Sequence, residues 1–404
     1  VEETLKLDSL DTVLIAGVNT RAIAKSAKSL GMKVIAVDRF DDLDLRENTD
    51  FLYSLERVEF ENDFCSGEMD LFDLSSKALD RHDVDGIVIT SGMEHYPEKV
   101  QKLENRVPVV GNGSDQLEFC EDKGRLFELA EELEIPHPET RRAESLDEAL
   151  YAADELGYPV LLKRPSSGGG IGIKSVERPE ELESLFDGAL SSSTGNFLYI
   201  QDFVEGIDAS ASVISNGYEA SCLAVTEQVI GEERLGVPRD FGYCGNVIPP
   251  DIEDDLISVI SKFSEDICSE IGLLGSNGVD FVISDKPYLI EVNPRFQNTI
   301  DMLEGCMDLN LLKRHVESTE GKISDGRELE RCSAKLIIYA EENIQAPYLS
   351  RFPDVVDVPL ENSEIDKGAP VCSVLRFGEG RDEVVREAYR SVRKVQRSLY
   401  GYPT

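Results

Sequence analysis

Residues 277–298 read NGVDFVISDKPYLIEVNPRFQN, two strand-like runs joined around Ser284 to Pro287. Whether the turn holds two residues or four, position 283 faces 288 and position 280 therefore faces 291. Asp280 and Glu291 then sit across from one another with Cβ atoms about 4.5 to 5.5 Å apart, where like charges repel. Something must offset that repulsion. Strand side chains alternate faces, so Asn293 joins Glu291 while Val292 points away. Two carboxylates and an amide suit a hard cation such as Mg2+, with Mn2+ as an alternative, that keeps water and phosphate ligands. The plainer alternative is a half-exposed hairpin edge whose acids are incidental in an acidic chain.

Upstream, SSGGGIGIKS places Gly168, Gly169, Gly170 and Gly172 in five residues. Such a backbone can take positive φ and aim several N–H groups at one anion. The spacing fits neither a Walker A loop nor a dinucleotide fingerprint. Lys163 ends the apolar run YPVLLK, where an ammonium without an anion beside it is costly. Lys123 is a second candidate for phosphate contact. An ordinary mobile loop and a solvated lysine are the alternatives.

The chain has 404 residues, enough for two or three domains. Its 79 acidic and 41 basic residues give a net charge of −38, spread along the sequence. Phosphate-rich polymers need basic surface, so nucleic acid is excluded as a main partner. The same acidity fits a protein working in high salt, where screening shortens electrostatic range to about 3 Å at 1 M. The eight cysteines are scattered without CxxC or Cys/His metal spacing, which argues against zinc and redox sites and for a reducing compartment. With no 18-residue apolar run and an amino end lacking signal-peptide character, a cytoplasmic, membrane-free protein is expected.

Along the chain, Thr12 to Gly17, Ala22 to Leu30, Lys33 to Asp38, Gly86 to Thr90 and Val107 to Val110 alternate strand and helix patterns, as in a parallel sheet covered by helices. The turn AGVNTR has one glycine where a dinucleotide site has three, although Asp38 lies at the distance of a ribose-binding acid. Thr20 and Arg21 stand where a helix amino end could hold a substrate carboxylate. A helix over Glu118 to Leu133, another from Ser145 to Gly157, and a long one over Ile252 to Ile271 are expected. GVPRDFGYCGNVIPP, with Arg239, Tyr243 and Asn246, reads equally as an acceptor-pocket wall or a solvent loop. The four histidines, His82, His95, His137 and His315, read as surface or capping residues.

In order, EDKGRLFELAEELEIPHP, YPVLLKRPSSGGGIGIKS, YIQDFVEGID and GVDFVISDKPYLIEVNPR resemble the ATP-grasp superfamily of carboxylate ligases over about Gly111 to Leu312. The likeness is greatest to an archaeal group of carboligases related to biotin carboxylase. It implies an α/β and α+β multidomain fold: a Rossmann-like parallel α/β domain over 1–113, an ATP-grasp fold over 114–325 with subdomains 114–196 and 197–325, and a small β-rich domain over 326–404 ending in a helix. It also implies that Lys123 and Lys163 contact ATP phosphates, with Gly168 to Gly172 closing over them. Gln201, Asp202, Phe203 and Val204 would form the adenine hinge and Asp208 the ribose contact. Asp280, Glu291 and Asn293 would hold Mg2+, and Arg295, with Lys163, would act on the transferred phosphoryl group. Gln201-Asp202 replaces the family's usual Glu-Lys pair, and Asp208 its usual glutamate.

The implied activity is ATP-dependent ligation of a small-molecule carboxylate to an amine through an acyl phosphate, in a monomer or homodimer. The alternatives are bicarbonate activation in the manner of biotin carboxylase and nucleotide-dependent regulation without turnover. Bicarbonate activation is disfavoured by the hinge and by DASASV, which lacks the histidine usual there.

Overall fold

The computed structural model describes residues 6–56, 69–165, 168–193, 195–323, 326 and 328–401. Cys65, and Ser166 and Ser167 at the head of the glycine-rich segment, lie outside the described residues. Near-continuous apolar runs, as parallel strands covered on both faces require, become β1 (Thr12–Gly17), β2 (Lys33–Asp38), β3 (Phe51–Ser54) and β4 (Gly86–Ile89). They form a parallel sheet in the order β3-β2-β1-β4. The expected strand Val107 to Val110 is only a single bridge, Ile87 to Val109. Pro108 has no N–H to give a ladder, though its carbonyl accepts from Ile87 N at 2.9 Å.

Antiparallel strands β5 (Thr140–Ala143), β6 (Val160–Lys163), β7 (Lys174–Val176) and β8 (Leu198–Asp202) make a second sheet in the order β5-β8-β6-β7. Before it, the expected helix over 118–133 is two, Ser114–Glu121 and Lys123–Glu132. Asp122 breaks it because its carboxylate caps the second helix, accepting from Gly124 N at 3.0 Å and Arg125 N at 3.2 Å. Lys123 is thereby the first residue of a helix.

The largest sheet uses β9 (Ile207–Asn216), β10 (Ala220–Ile230), β11 (Tyr243–Ile248), β12 (Leu274–Ile283), β13 (Pro287–Asn293) and β14 (Cys332–Tyr339). A separate pair, β15 (Ile344–Gln345) and β17 (Glu364–Ile365), brackets β16 (Val355–Val356), and β18 (Pro370–Gly378) follows. The eight-stranded order is β13-β12-β9-β10-β11-β14-β18-β16. The sheet therefore runs without a break across residue 326. Likewise, residues 198–202 pair within the smaller sheet, past position 196. The helix Asp254–Ile271 lays Ile260, Ile267 and Cys268 over this sheet, and the helix Arg381–Tyr400 covers its other end with Val384, Ala388, Val392 and Val395.

Buried polar groups join the parallel sheet to the rest. His315, expected at the surface, is 3% exposed: its Nε2 donates to Val110 O and its Nδ1 accepts from Ser276 N, both at 2.8 Å. Burial pushes it down to about 4, so it is neutral. Thr20 N and Oγ1 both donate to Asp38 Oδ2 at 2.6 Å, so neither a ribose nor a substrate carboxylate has a claim on that turn. Arg21, 3% exposed, gives Nε to Asp357 Oδ1 at 2.7 Å and Nη1 to Asp301 Oδ1 at 3.1 Å. Lys335 reaches Asp301 at 3.4 Å and Asn298 Oδ1 at 2.8 Å. The expectation that Arg21 binds substrate is thus corrected: its charge is neutralised by the protein's own acids. Removing one member leaves a buried charge unpaired, so Arg21→Ala should lose roughly 3 to 5 kcal/mol of stability in denaturant titration.

Candidate active site

The β12–β13 hairpin brings the two acids together by a route different from the expected one. Ile283 pairs with Pro287 and Val282 with Tyr288, one residue off the expected 283-to-288 pairing. A bulge after Asp280 restores the register, so Asp280 faces Glu291 as expected. Asn293 lies on the same face: its Nδ2 donates to Asp280 Oδ2 and Glu291 Oε1, each at 3.1 Å. Ser210 on β9, directly opposite Asp280, donates to Asp280 Oδ1 at 2.5 Å. Burial, then the charge of Glu291, pushes Asp280 upward. Burial also works against Glu291's charge, but Lys123 and Lys163 outweigh it and hold that carboxyl low.

Both lysines converge on this face, Lys123 from the start of its helix and Lys163 from the second sheet. Lys123 Nζ is 3.7 Å from Glu291 Oε2, placed there by the Asp122 cap. Lys163, at the end of β6, donates to Gln201 Oε1 at 3.2 Å, and Gln201 Nε2 donates to Thr140 Oγ1 at 2.8 Å. Burial, and then Lys123, lower the Lys163 ammonium to about 8, against the pull of Glu291. The chain leaves the sheet after Asp202, whose N–H donates to Glu139 O at 2.9 Å, through Phe203 and Val204. Asp208 stands on β9 two residues before Ser210, hence on the same face. Burial raises it to about 6.

The glycine loop folds back on the segment 239–243. Tyr243 N donates to Gly169 O at 3.4 Å. Gly170 has φ +75, and a Cβ there would lie 1.7 Å from Phe241 O, so no other residue fits without moving the loop. Phe241 in turn meets the hinge residue Phe203 with ring centroids 6.3 Å apart. The segment 243–248 is strand β11 in the central sheet, not a solvent loop: Tyr243 Oη donates to Asn246 Oδ1, and Asn246 Nδ2 to Thr226 Oγ1 at 2.8 Å.

Arg295 is held from two directions. Its Nη2 donates to Asn293 Oδ1 at 3.1 Å and its Nε to Glu94 Oε1 at 2.6 Å. Glu94, from the loop after β4, was not singled out by sequence reasoning, its neighbour His95 was read only as a surface or capping residue, and no spacing signal marks either. His95 Nδ1 is 2.9 Å from Glu121 Oε1. Against the effect of burial, Glu121 and Glu94 raise His95 above its usual range, so it is more than the surface residue expected.

The donor chemistry fits a magnesium nucleotide. Asp280 and Glu291 offer oxygen on one face, with two ammonium groups beside them. No cluster of three or more His, Cys, Asp or Glu suited to a metal occurs among the described residues, so a cation here needs phosphate or water to complete its shell. Asn293, as oriented, spends its oxygen on Arg295 and its nitrogen on the acids, and would have to turn to ligate.

A comparison of the sequence with protein families matches residues 120–299 to the ATP-grasp domain. The chain carries an ATP-grasp domain and is homologous to proteins that share it. A relative is an uncharacterized protein of Methanocaldococcus jannaschii, 26% identical over 369 residues, or 90% of this chain and 87% of that protein. The carbamoyl phosphate synthase large chain of Clostridium acetobutylicum is 24% identical over 280 residues, which is 68% of this chain but 25% of that one. This chain thus spans about a quarter of that synthase subunit. Among solved structures, the biotin carboxylase domain of Hydrogenobacter thermophilus 2-oxoglutarate carboxylase, a dimer with MgADP and bicarbonate, superposes with a TM-score of 0.76 at 17% identity, covering 96% of this chain and 90% of that one. The N5-carboxyaminoimidazole synthetase of Staphylococcus aureus with ADP gives 0.72 at 15% identity, covering 96% and 98%. These likenesses agree in fold with the sheets described above.

Because Lys163 is held near 8 in the folded chain and titrates near 10.4 when unfolded, its burial penalty relaxes as pH rises through 8 toward 10. Stability of the nucleotide-free protein should therefore gain an increment over that window that Lys163→Met lacks, read by denaturant unfolding at pH 7, 8, 9 and 10.

Proposed function

We propose that the chain is an ATP-dependent carboxylate–amine ligase that forms an amide or peptide-like bond through an acyl phosphate. The observation that carries this reading is the convergence of Lys123, Lys163, Asp280, Glu291 and Arg295 within an ATP-grasp domain. A substrate carboxylate oxygen attacks the γ-phosphorus and ADP leaves. The amine nitrogen then attacks the acyl carbon, loses its proton, and phosphate leaves. Mg2+, when bound with the nucleotide, neutralises charge on the phosphates.

The residues act by position and charge. Asp280, Glu291 and, after turning, Asn293 would hold the cation. Lys123 and Lys163 would lie along the phosphates beneath the loop Gly168 to Gly172. Gln201 to Val204 would receive adenine and Asp208 the ribose, and Arg295 would meet the phosphoryl group in transfer. The carboxylate is its own nucleophile, so no triad is needed. Domains at 1–113, 114–325 and 326–404, the last two sharing one eight-stranded sheet, a cytoplasmic setting, an archaeal source and a homodimer belong to the same proposal. No helix among the described residues is long and apolar enough to cross a membrane.

A second reading, bicarbonate as the carboxylate, is favoured by the biotin carboxylase fold matched over 96% of the chain. ADP release in the presence of MgATP and libraries of carboxylates and amines tests both, with labelled bicarbonate separating them. Glu291→Ala should lower turnover at least about 100-fold with an unchanged circular dichroism spectrum. Retained turnover would remove the metal assignment. The net charge of −38 further predicts a melting temperature that rises between low and molar KCl, whereas an ordinary acidic protein would show none of this.

A further inference from the structure

The parallel sheet order β3-β2-β1-β4 reverses direction between β1 and β4, and open α/β sheets bind ligands in the crevice beyond the strand ends at such a point. The segment leaving β4 there, Thr90 to His95, carries two buried side-chain oxygens without a hydrogen-bond partner among the described residues: Thr90 Oγ1 and Glu94 Oε2. Thr90 is 2% exposed and Glu94 2%. A carboxylate accepts about four hydrogen bonds, and leaving an oxygen of a buried one bare is costly.

The surroundings specify what could satisfy Glu94. Its Oε1 takes Arg295 Nε at 2.6 Å, with His95 Nε2 at 3.8 Å. Arg295 sends its other nitrogens elsewhere, Nη1 to Phe296 O and Nη2 to Asn293 Oδ1, each at 3.1 Å. His95 lies against the glycine loop, where a Cβ on Gly168 would come within 3.4 Å of Nε2. Glu94 therefore stands between Arg295 and the loop. An anion is repelled by its carboxylate, and a hydrogen-bond donor is required.

We infer that Glu94 is a specificity-determining residue whose free Oε2 docks the ammonium or amine nitrogen of the acceptor substrate, at the carboxyl end of β4 beside Arg295. It rests on the ligase reading for the reason an amine comes there: Arg295 would meet the acyl phosphate, and the nitrogen that attacks it must approach from an adjacent position. The class of ligand is a primary amine, and the discrimination is against its hydroxyl counterpart, since a charge-assisted N–H···O bond is stronger than a neutral one.

Ligand-observed saturation-transfer NMR on the full chain tests this with ethanolamine, putrescine, glycine and β-alanine, each against its hydroxyl counterpart: ethylene glycol, butanediol, glycolate and 3-hydroxypropionate. Spectra are taken with and without MgADP. At least one amine should be retained over its counterpart, and Glu94→Gln should weaken it about tenfold or more. Retention of no amine by the wild type, equal retention of amine and counterpart, or undiminished retention by Glu94→Gln each overturns the proposal and leaves water as the partner of Oε2. Should Glu94→Gln not fold, as read by its melting curve, Glu94→Asp keeps the charge but draws the oxygen back by one methylene. Weakened retention then supports the docking role and unchanged retention refutes it. ADP release from MgATP by the wild type is read separately, so a failed ligase proposal shows as absent ADP release with amine retention intact.

Discussion

Two acids of like charge on neighbouring strands are stable only if the surroundings supply positive charge, and the architecture answers that demand. Asp280 and Glu291 share one Asn293 amide, which donates to both. The ammonium of Lys123 reaches Glu291 from a helix start, and the field of Lys163 comes from the end of a strand in another sheet. The protein therefore splits the pair: one carboxyl is drawn toward its charged form by the lysines while the other is pushed toward its neutral one by burial and its neighbour. A divalent cation with phosphates would let both ionise. The resting arrangement thus leaves one carboxyl charged and the other near neutral, with two ammonium groups close by.

Much of this was legible because strand alternation is a local rule. The facing of Asp280 and Glu291 followed from counting, yet the count was right through compensation: a turn of three residues, neither two nor four, slipped the pairing by one, and a bulge after Asp280 slipped it back. A bulge leaves little trace in a short apolar run. The parallel strands were readable from apolar runs, and the long helix Asp254–Ile271 from its stripe of isoleucines. The break at Asp122 was hidden because the apolar periodicity continues across it, and only the capping side chain decides that two helices form.

What stayed hidden were contacts between distant segments. Glu94 reaches Arg295 across 201 positions, His315 reaches Val110 across 205, and Arg21 reaches Asp357 across 336. No window of sequence contains both partners. Arg21 looked available because it opens a helix after a strand, a favourable place for an anion; besides the nearby Asp44, the acids that occupy it, Asp301 and Asp357, lie hundreds of positions further on. In so acidic a sequence, with 79 carboxylates, the identity of an acid says little until its neighbours are known. Lys163 was readable for the opposite reason, since a lysine closing an apolar strand is uncommon enough to need an explanation.

The pairing of β11 with β14 has a consequence for how this molecule can be cut or reshaped. Gly245 to Ile248 is zipped to Leu336 to Ser333, so the strands after residue 326 are selvedge to the same cloth that carries Ser210 and Asp280. Trimming the chain before β14 would bare the flank of β11 along its whole row of amide groups, inviting another chain to adhere there. The tail is therefore no detachable appendage: a shortened version would trade a closed flank for a sticky one, two strands from Ser210 and three from Asp280.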